Sequence, residues 1–471
     1  MKFLPAFRQR FESLATQRIT VGVTGFSRAG KTVFIGSLAQ ALMTQDAWRQ
    51  RRGLGPLAKF GPFERGRVHS ARIRDDVHSE LPHFPFRQVR DSLLKRDSNW
   101  PEPTTGISRL VLDIDTVSRP GMWKALGDRI GLPNVGLGHV QLELVDYPGE
   151  WLVDLAMLDQ TYEEWSRQTL ARATSGLRKA LSSEYLAQVE LVPTDQSFDD
   201  EVSGGLAEAW ARYLGAAAEQ GLTLNQPGRL LRPDTMRHSP VLRLVPLGDK
   251  LHDSGLFKGM SARFDEYKRK VIGPFHKDHF ARMDRQVILV DVLRALHAGE
   301  SVFIEMIEAL ALTLRAFDYS KGGWLSRLPW VGKTTHVLFA ATKADHVTRH
   351  DRVNLEQVLR RMLDSLDESR RLRSMAARHE VMALASVCAT TDYETQKPPR
   401  REILFGRPAG EVETGQWDPG LLPLDVPPNW SEIHFQFYNF APPCMPNASL
   451  EGFPAINLGR ALDFLIGEDF Q

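Results

Sequence analysis

Cysteine is scarce in this chain: only Cys388 and Cys444 occur in 471 residues. Two thiols cannot build a disulfide framework, and so few of them fit a reducing compartment. An excess of one charge is missing as well. Lys and Arg number 59 against 58 Asp and Glu, a formal net charge of +1. That balance argues against a chain that coats nucleic acid or anionic membrane, so no nucleic-acid partner is expected. Long apolar runs are also lacking. No stretch approaches the roughly 18 residues a spanning helix needs, and no transmembrane segment is expected. The opening residues break their apolar character at Arg8, Arg10 and Glu12, where a secretory leader would run on unbroken. Residues 1–18 read as an amphipathic helix packed on the first strand. The alternative is a weak membrane-surface helix through Lys2, Arg8, Arg10 and Arg18. These readings place the protein in the cytoplasm.

What the chain does have is a series of short apolar strands separated by helical stretches. Ile19–Thr24, Arg109–Asp115, His139–Asp146, Gln286–Val292, His336–Ala341 and Val381–Val387 read as strands. Residues 31–43, 299–317, 351–368 and 458–466 read as helices. Residues 50–106 read as an elaborated connection. From about 150 to 282 the pattern turns helical, with polar and proline-containing joints. Residues 395–450 carry many prolines and aromatics and read as a surface wrap. Strands alternating with helices imply an α/β fold: a mostly parallel sheet with helices on both faces. The pair at 109 and 139 is expected to lie antiparallel at one edge. The expected division is a first core part at 19–150, an α-helical insertion at 151–282 and a second core part at 283–471.

The sharpest motif is Gly25-Phe-Ser-Arg-Ala-Gly30-Lys31-Thr32, between a strand and a helix. It has the spacing of a phosphate loop. Glycines let several backbone N–H groups converge on one anion, and the helix adds its positive end. Gly25, Ser27, Arg28, Ala29, Gly30, Lys31, Thr32 and Val33 are therefore candidate nucleotide contacts. Lys31 would reach the β- and γ-phosphates, and the Thr32 hydroxyl would ligate Mg²⁺. Gly332-Lys333-Thr334 also reads GKT, but Arg occupies position 327, where the first glycine is needed.

Further motifs follow in an order that matters. Asp146-Tyr-Pro-Gly149 closes a strand and fits the DxxG pattern. Asp146 would hold Mg²⁺ through a water, and the Gly149 N–H would contact the γ-phosphate. Thr342-Lys343-Ala344-Asp345 fits the (N/T)KxD base reader. The Asp345 carboxylate would accept both N–H donors of guanine, and the Lys343 stem would lie over the base. Ala385-Ser386-Val387, or Cys388-Ala389-Thr390 in another register, would meet the guanine O6. Thr104 or Thr105 is placed to supply the metal with a switch threonine. Arg28, inside the loop, is a candidate built-in arginine finger. Glu150 stands where many small GTPases carry Gln, and a carboxylate there is expected to point away from the phosphates.

These motifs, with Trp100-Pro-Glu-Pro-Thr-Thr-Gly-Ile-Ser and Phe435-Gln-Phe-Tyr-Asn-Phe, resemble the bacterial YcjX-like family of P-loop nucleotide-binding proteins. The resemblance spans nearly the whole chain. It implies the P-loop NTPase core, nucleotide binding, an association with stress responses and roles for Lys31, Thr32, Asp146 and Asp345. Members are described variously as ATPases and GTPases. The expectation is a Mg²⁺-dependent nucleoside triphosphatase that binds GTP or GDP and hydrolyses slowly. Its helical insertion would signal nucleotide state to an unknown protein partner. The alternatives are an ATPase with a coincidental TKAD, a non-hydrolysing nucleotide-binding scaffold and, more weakly, a small-molecule kinase.

Overall fold

The computed structural model describes residues 16–51, 55–74, 81–95, 99–102, 106–117, 137–318, 334–365, 377–396, 400–427, 429–432, 435–445 and 447–470. Thr104 and Thr105, most of the second GKT and residues 1–15 lie outside them.

Seven strands form one sheet in the order β2-β3-β4-β1-β5-β6-β7. They are β1 (Thr16–Gly25), β2 (Val68–Ile73), β3 (Ser108–Val117), β4 (Leu137–Asp146), β5 (Arg285–Val290), β6 (His336–Ala341) and β7 (Arg378–Ala383). β4, β1, β5, β6 and β7 are parallel. β2 and β3 run antiparallel to their neighbours. The parallel strands are apolar on both faces, as β6 shows by burying every one of its residues, because helices cover both sides.

The main helices are α1 (Lys31–Met43), α2 (Phe86–Leu94), α3 (Glu150–Asp154), α4 (Tyr162–Ala173), α5 (Asp200–Glu219), α6 (Gly228–Leu231), α7 (Gly255–Tyr267), α8 (Val292–Ala298), α9 (Glu300–Asp318), α10 (Asp351–Asp364) and α11 (Leu458–Ile466). On one face α1 and α11 pack Phe34, Leu38, Leu462 and Leu465 against Val21, Leu142 and Val287. On the other, the helices from 150 to 282 bury Trp151, Trp165, Trp210 and Phe264 in an apolar core continuous with Ile288, Val290 and Phe339 of the sheet. No strand comes from residues 150–282.

Three sequence expectations are corrected here. Residues 16–18 open β1 instead of ending a helix: Thr16, Gln17 and Arg18 pair with His139, Val140 and Gln141 of β4. The connection at 50–106 contains β2, which takes the sheet edge outside the β3–β4 pair. Its polar sequence, Val-His-Ser-Ala-Arg-Ile, suits an edge strand with solvent beside it. The region at 395–450 is more than a wrap. It completes a three-stranded antiparallel sheet of β8 (Thr390–Glu394), β9 (Glu402–Gly406) and β10 (Gly415–Trp417).

β1 lies between two parallel partners: the chain runs from β1 to the β2–β3–β4 side and then crosses from β4 to β5 on the other. That is the topological switch point of an open α/β sheet, where a crevice forms at the carboxyl ends of the strands.

Candidate functional site

The crevice at this point is a cleft of about 460 Å³, within the size range of small-molecule sites. Ser27 to Val33 line one end, and Thr342, Lys343, Asp345, Ser386 and Val387 line the other. Motifs separated by more than three hundred residues thus share one cavity.

The phosphate loop leaves β1 at Gly25, and α1 starts at Lys31. Arg28 and Gly30 both adopt left-handed backbone, at φ 65° and 89°. This curls the loop so that the amides at the start of α1 face the cleft. Lys31 Nζ donates to the Gly25 carbonyl at 2.9 Å, which holds the ammonium across the loop's mouth. Ala29 is buried and anchors the loop's inner side, while its N–H donates to the Phe26 carbonyl. Arg28 is exposed at the crest and lines the cleft. It lies on the side of Arg294, whose pKa is lowered first by burial and then by the Arg28 charge.

Asp146 ends β4 fully buried, in register with Val23 of β1. The pairing sets its carboxylate beside the root of the phosphate loop. A buried carboxylate and the Thr32 hydroxyl are hard oxygen donors, which suit Mg²⁺ that keeps waters and phosphate oxygens as its other ligands.

Gly149 explains itself by crowding. A Cβ there would stand 2.6 Å from the Gly25 carbonyl oxygen and 3.1 Å from the Phe26 nitrogen. Only glycine lets this backbone touch the loop. Gly149→Ala is expected to shift the loop and to weaken binding of a non-hydrolysable GTP analogue about tenfold or more, with a smaller loss for GDP. Calorimetric titration of both nucleotides checks this; an unchanged ratio between them would dismiss the assignment.

At the end of the cleft away from the loop, Thr342 N donates to the Val290 carbonyl at 2.9 Å, and Lys343 takes a left-handed backbone. Asp345 is buried, and its Oδ2 accepts from the Ala389 N–H at 2.7 Å. Each carboxylate oxygen carries more than one acceptor site, so this bond orients Asp345 and leaves it able to accept from a base. The alternative register Cys388-Ala389-Thr390 therefore braces Asp345, whereas Ala385, Ser386 and Val387 line the cleft. The last sheet strand ends at Ala383 and not at Val387. Ala385 leaves the sheet to pair with Ile456 through both backbone bonds.

Several residues in or beside the cleft were given no individual role from the sequence. Asp291, just past β5, holds Lys343 Nζ at 2.6 Å and caps α8. The Lys343 stem is thus drawn along the cleft wall, and its ammonium sits 4.8 Å from the centre of the Phe437 ring. His346 is buried, stacks on Phe437 and meets the Tyr438 carbonyl. Burial lowers its pKa, partly opposed by Asp345. Trp100 and Asn439 also line the cleft, and the Trp100 indole N–H donates to the Phe440 carbonyl. The Trp-Pro and Phe435-Gln-Phe-Tyr-Asn-Phe stretches thus meet at this end of the cleft.

Glu150 contradicts its expectation. It does not point away; it is buried in the cleft wall. The reason is Arg232, whose Nε lies 3.8 Å from Glu150 Oε1 and offsets its charge.

A family model described as "YcjX-like family, DUF463" matches residues 19–470. A protein named "Ras-like GTPase YcjX" from Escherichia coli (strain K12) is 31% identical over 97% of this chain and 96% of its own length. A protein of the same name from Shewanella oneidensis is also 31% identical, again over 97% of this chain and 96% of its own length.

Proposed function

This chain belongs to the YcjX-like family, and from that membership and the cleft's geometry we propose that it binds GTP with Mg²⁺ and hydrolyses it slowly. It is a GTPase-like, P-loop nucleotide-binding protein, and its relatives are named Ras-like GTPases. The observation that carries the finer reading is a shared cavity. The phosphate loop and the Asp345 carboxylate open into one cleft, so a single ligand with phosphates at one end and a donor-bearing base at the other fills it.

In this reading Gly25 to Val33 cradle the phosphates and Lys31 faces their β and γ oxygens. Thr32 and Asp146 hold Mg²⁺, which when bound would neutralise phosphate charge during transfer. The switch threonine, Thr104 or Thr105, would add to that metal set. The Gly149 N–H takes the γ-phosphate. Asp345 accepts from the guanine edge, Lys343 covers the base, and the backbone at Ser386 and Val387 meets O6. Arg28 folds over the phosphates from the crest.

The helices from 151 to 282 would carry nucleotide state to a protein partner, since they bury Trp151 of α3 directly after the DxxG glycine. No described helix is long and apolar enough to cross a membrane.

The test is single-turnover incubation of the protein with GTP and, separately, with ATP, each with Mg²⁺ or with EDTA. GTP is expected to be consumed at about 10⁻⁴–10⁻² s⁻¹, the range of unassisted GTPases, and not at all with EDTA. Consumption of ATP in preference to GTP would install the ATPase. Tight binding of GTP without turnover would install the scaffold.

A further inference from the structure

From the placement of Arg232 we propose that the helical stretch completes the catalytic site, by supplying in cis the cation that stabilises the transition state for γ-phosphoryl transfer. This rests on the reading above that the cleft binds and hydrolyses GTP.

The γ-phosphate end of the cleft is fixed by the chain's own contacts. Gly149 abuts Gly25 and Phe26, and Ser27 and Glu150 continue from those two points into the cleft wall. Arg232 lines this same end. Its Nη2 sits 3.5 Å from Ser27 Oγ, while its Nε faces Glu150 at 3.8 Å. One edge of the guanidinium is therefore engaged by a carboxylate, and the other is presented to the loop. Arg28 also lines the cleft but, in contrast, is exposed and carries no such mounting.

The backbone that delivers Arg232 is held by several buried bonds. Gln226 Nε2 donates to the Val153 carbonyl at 2.7 Å, and the Trp210 indole donates to the Gln226 carbonyl at 3.1 Å. The Gly228 N–H donates to both oxygens of Asp154 at 2.9 Å. Asp154 also accepts from the Tyr267 hydroxyl at 2.6 Å. A Cβ on Gly228 would stand 2.3 Å from the Glu150 carbonyl oxygen, so α6 lies directly on α3. The Arg229 guanidinium covers the Trp151 ring at 3.2 Å. Two residues past Arg232, Asp234 packs against Gly106 at the entry to β3. The segment thus spans from the DxxG helix to the strand that follows the Thr104–Thr105 stretch. A merely solvated arginine needs no such mounting; a group that must meet developing charge does, because misplacement by about 1 Å forfeits much of its effect.

The chemistry balances without Arg232 taking a proton. Water attacks the γ-phosphorus, and its oxygen forms the new P–O bond. The bond from phosphorus to the β–γ bridging oxygen breaks, and GDP leaves with that electron pair. One of the water's protons stays on the attacking oxygen and the other passes to a γ-phosphoryl oxygen, so both end on the inorganic phosphate. Negative charge builds on the bridging and γ oxygens as the bond breaks, and the guanidinium donors of Arg232 stabilise it there. Glu150 is then a positioning residue, which accounts for a carboxylate at this place.

The experiment compares wild type with Arg232→Ala, Arg232→Lys, Arg28→Ala, Glu150→Gln and Glu150→Ala/Arg232→Ala. Folding is verified by circular dichroism and melting temperature. Arg232→Ala is expected to slow single-turnover GTP hydrolysis by about 10³-fold or more and to leave GDP affinity within a few fold. It should also lose the complex with GDP and aluminium fluoride that wild type forms, a loss that a structural role would not produce while GDP still binds. Lysine should not restore the rate, because it lacks the two-edged fork. The double variant should be no slower than Arg232→Ala, since Glu150 acts through the arginine. Glu150→Gln should lose less than Arg232→Ala. If Arg232→Ala turns over within threefold of wild type and still forms the aluminium fluoride complex, the inference is overturned. If Arg28→Ala alone loses that complex, the cation is Arg28 and the inference is likewise overturned. Wild type that binds GTP tightly without turning it over removes the catalytic reading together with this one. Wild type that binds no guanine nucleotide removes the underlying site as well.

Discussion

Lys31→Ala is expected to remove tight nucleotide binding while leaving the fold in place. Lys31 is the first residue of α1 and its side chain is only partly buried, so the sheet does not depend on it. Its ammonium donates to the Gly25 carbonyl at the loop's mouth, within reach of phosphate oxygens. Removing one partner from a charge-assisted, desolvated pair costs about 3–5 kcal/mol, or roughly 10²–10⁴ in affinity. Calorimetric titration of GTP, GDP and ATP against the folded variant checks this. A variant that melts like wild type and binds all three as tightly would show that the loop is not the phosphate site.

Base choice carries the second large effect. Wild type is expected to prefer GTP over ATP by about 10⁴-fold, as for sites whose buried polar group goes unpaired with the wrong ligand. Adenine offers no donor at N1, so with ATP the Asp345 carboxylate would keep only its own protein contacts, the Ala389 N–H at 2.7 Å and His346 Nε2 at 3.7 Å, and gain none from the base. Asp345→Asn is expected to reduce GTP binding and to admit xanthosine triphosphate. The structure makes this substitution informative: an asparagine oxygen can keep the Ala389 bond, and its amide can then donate to the xanthine oxygen. Titration of GTP, ATP and xanthosine triphosphate against both proteins decides it. Equal binding of ATP and GTP by wild type, or no gain for xanthosine triphosphate in the variant, would return TKAD to coincidence and favour an ATPase.

The legible parts of this molecule were those where one physical rule dominates locally. His336–Ala341 reads as a strand from the sequence and is one, because the five residues after His336 are apolar and suit a two-sided interior. Lys31–Met43 and Leu458–Ile466 were equally plain. The motif order placed Gly25–Thr32, Asp146 and Thr342–Asp345 at the ends of parallel strands; of these, Ser27–Thr32, Thr342, Lys343 and Asp345 line one cleft, and Gly149 abuts the loop at Gly25. Edge elements were not legible. Val68–Ile73 and the strands at 390–417 are short and polar on one side, so their periodicity is faint, and only pairing partners define them. Arg232 was invisible for a different reason. Its contact with Ser27 spans 205 positions, and nothing local distinguishes it from the protein's other arginines. Glu150 was noticed but misdirected, since its position in the wall makes sense only once that arginine is known.

The pairing of Ala385 with Ile456 and the docking of Phe437 on His346 bear on how the molecule is made. β1 and the phosphate loop are among the first described residues to be synthesised, yet their neighbour β5 follows some 260 positions later and the base-end closure later still. At about 5–20 residues per second, the interval is tens of seconds. A ribosome-bound intermediate therefore carries a loop with no base pocket beside it. On the proposed reading, nucleotide capture is a late event of biogenesis, tied to the emergence of the segment around residues 435–456, and a product arrested before that point would hold the loop without the base-contacting end of the cleft.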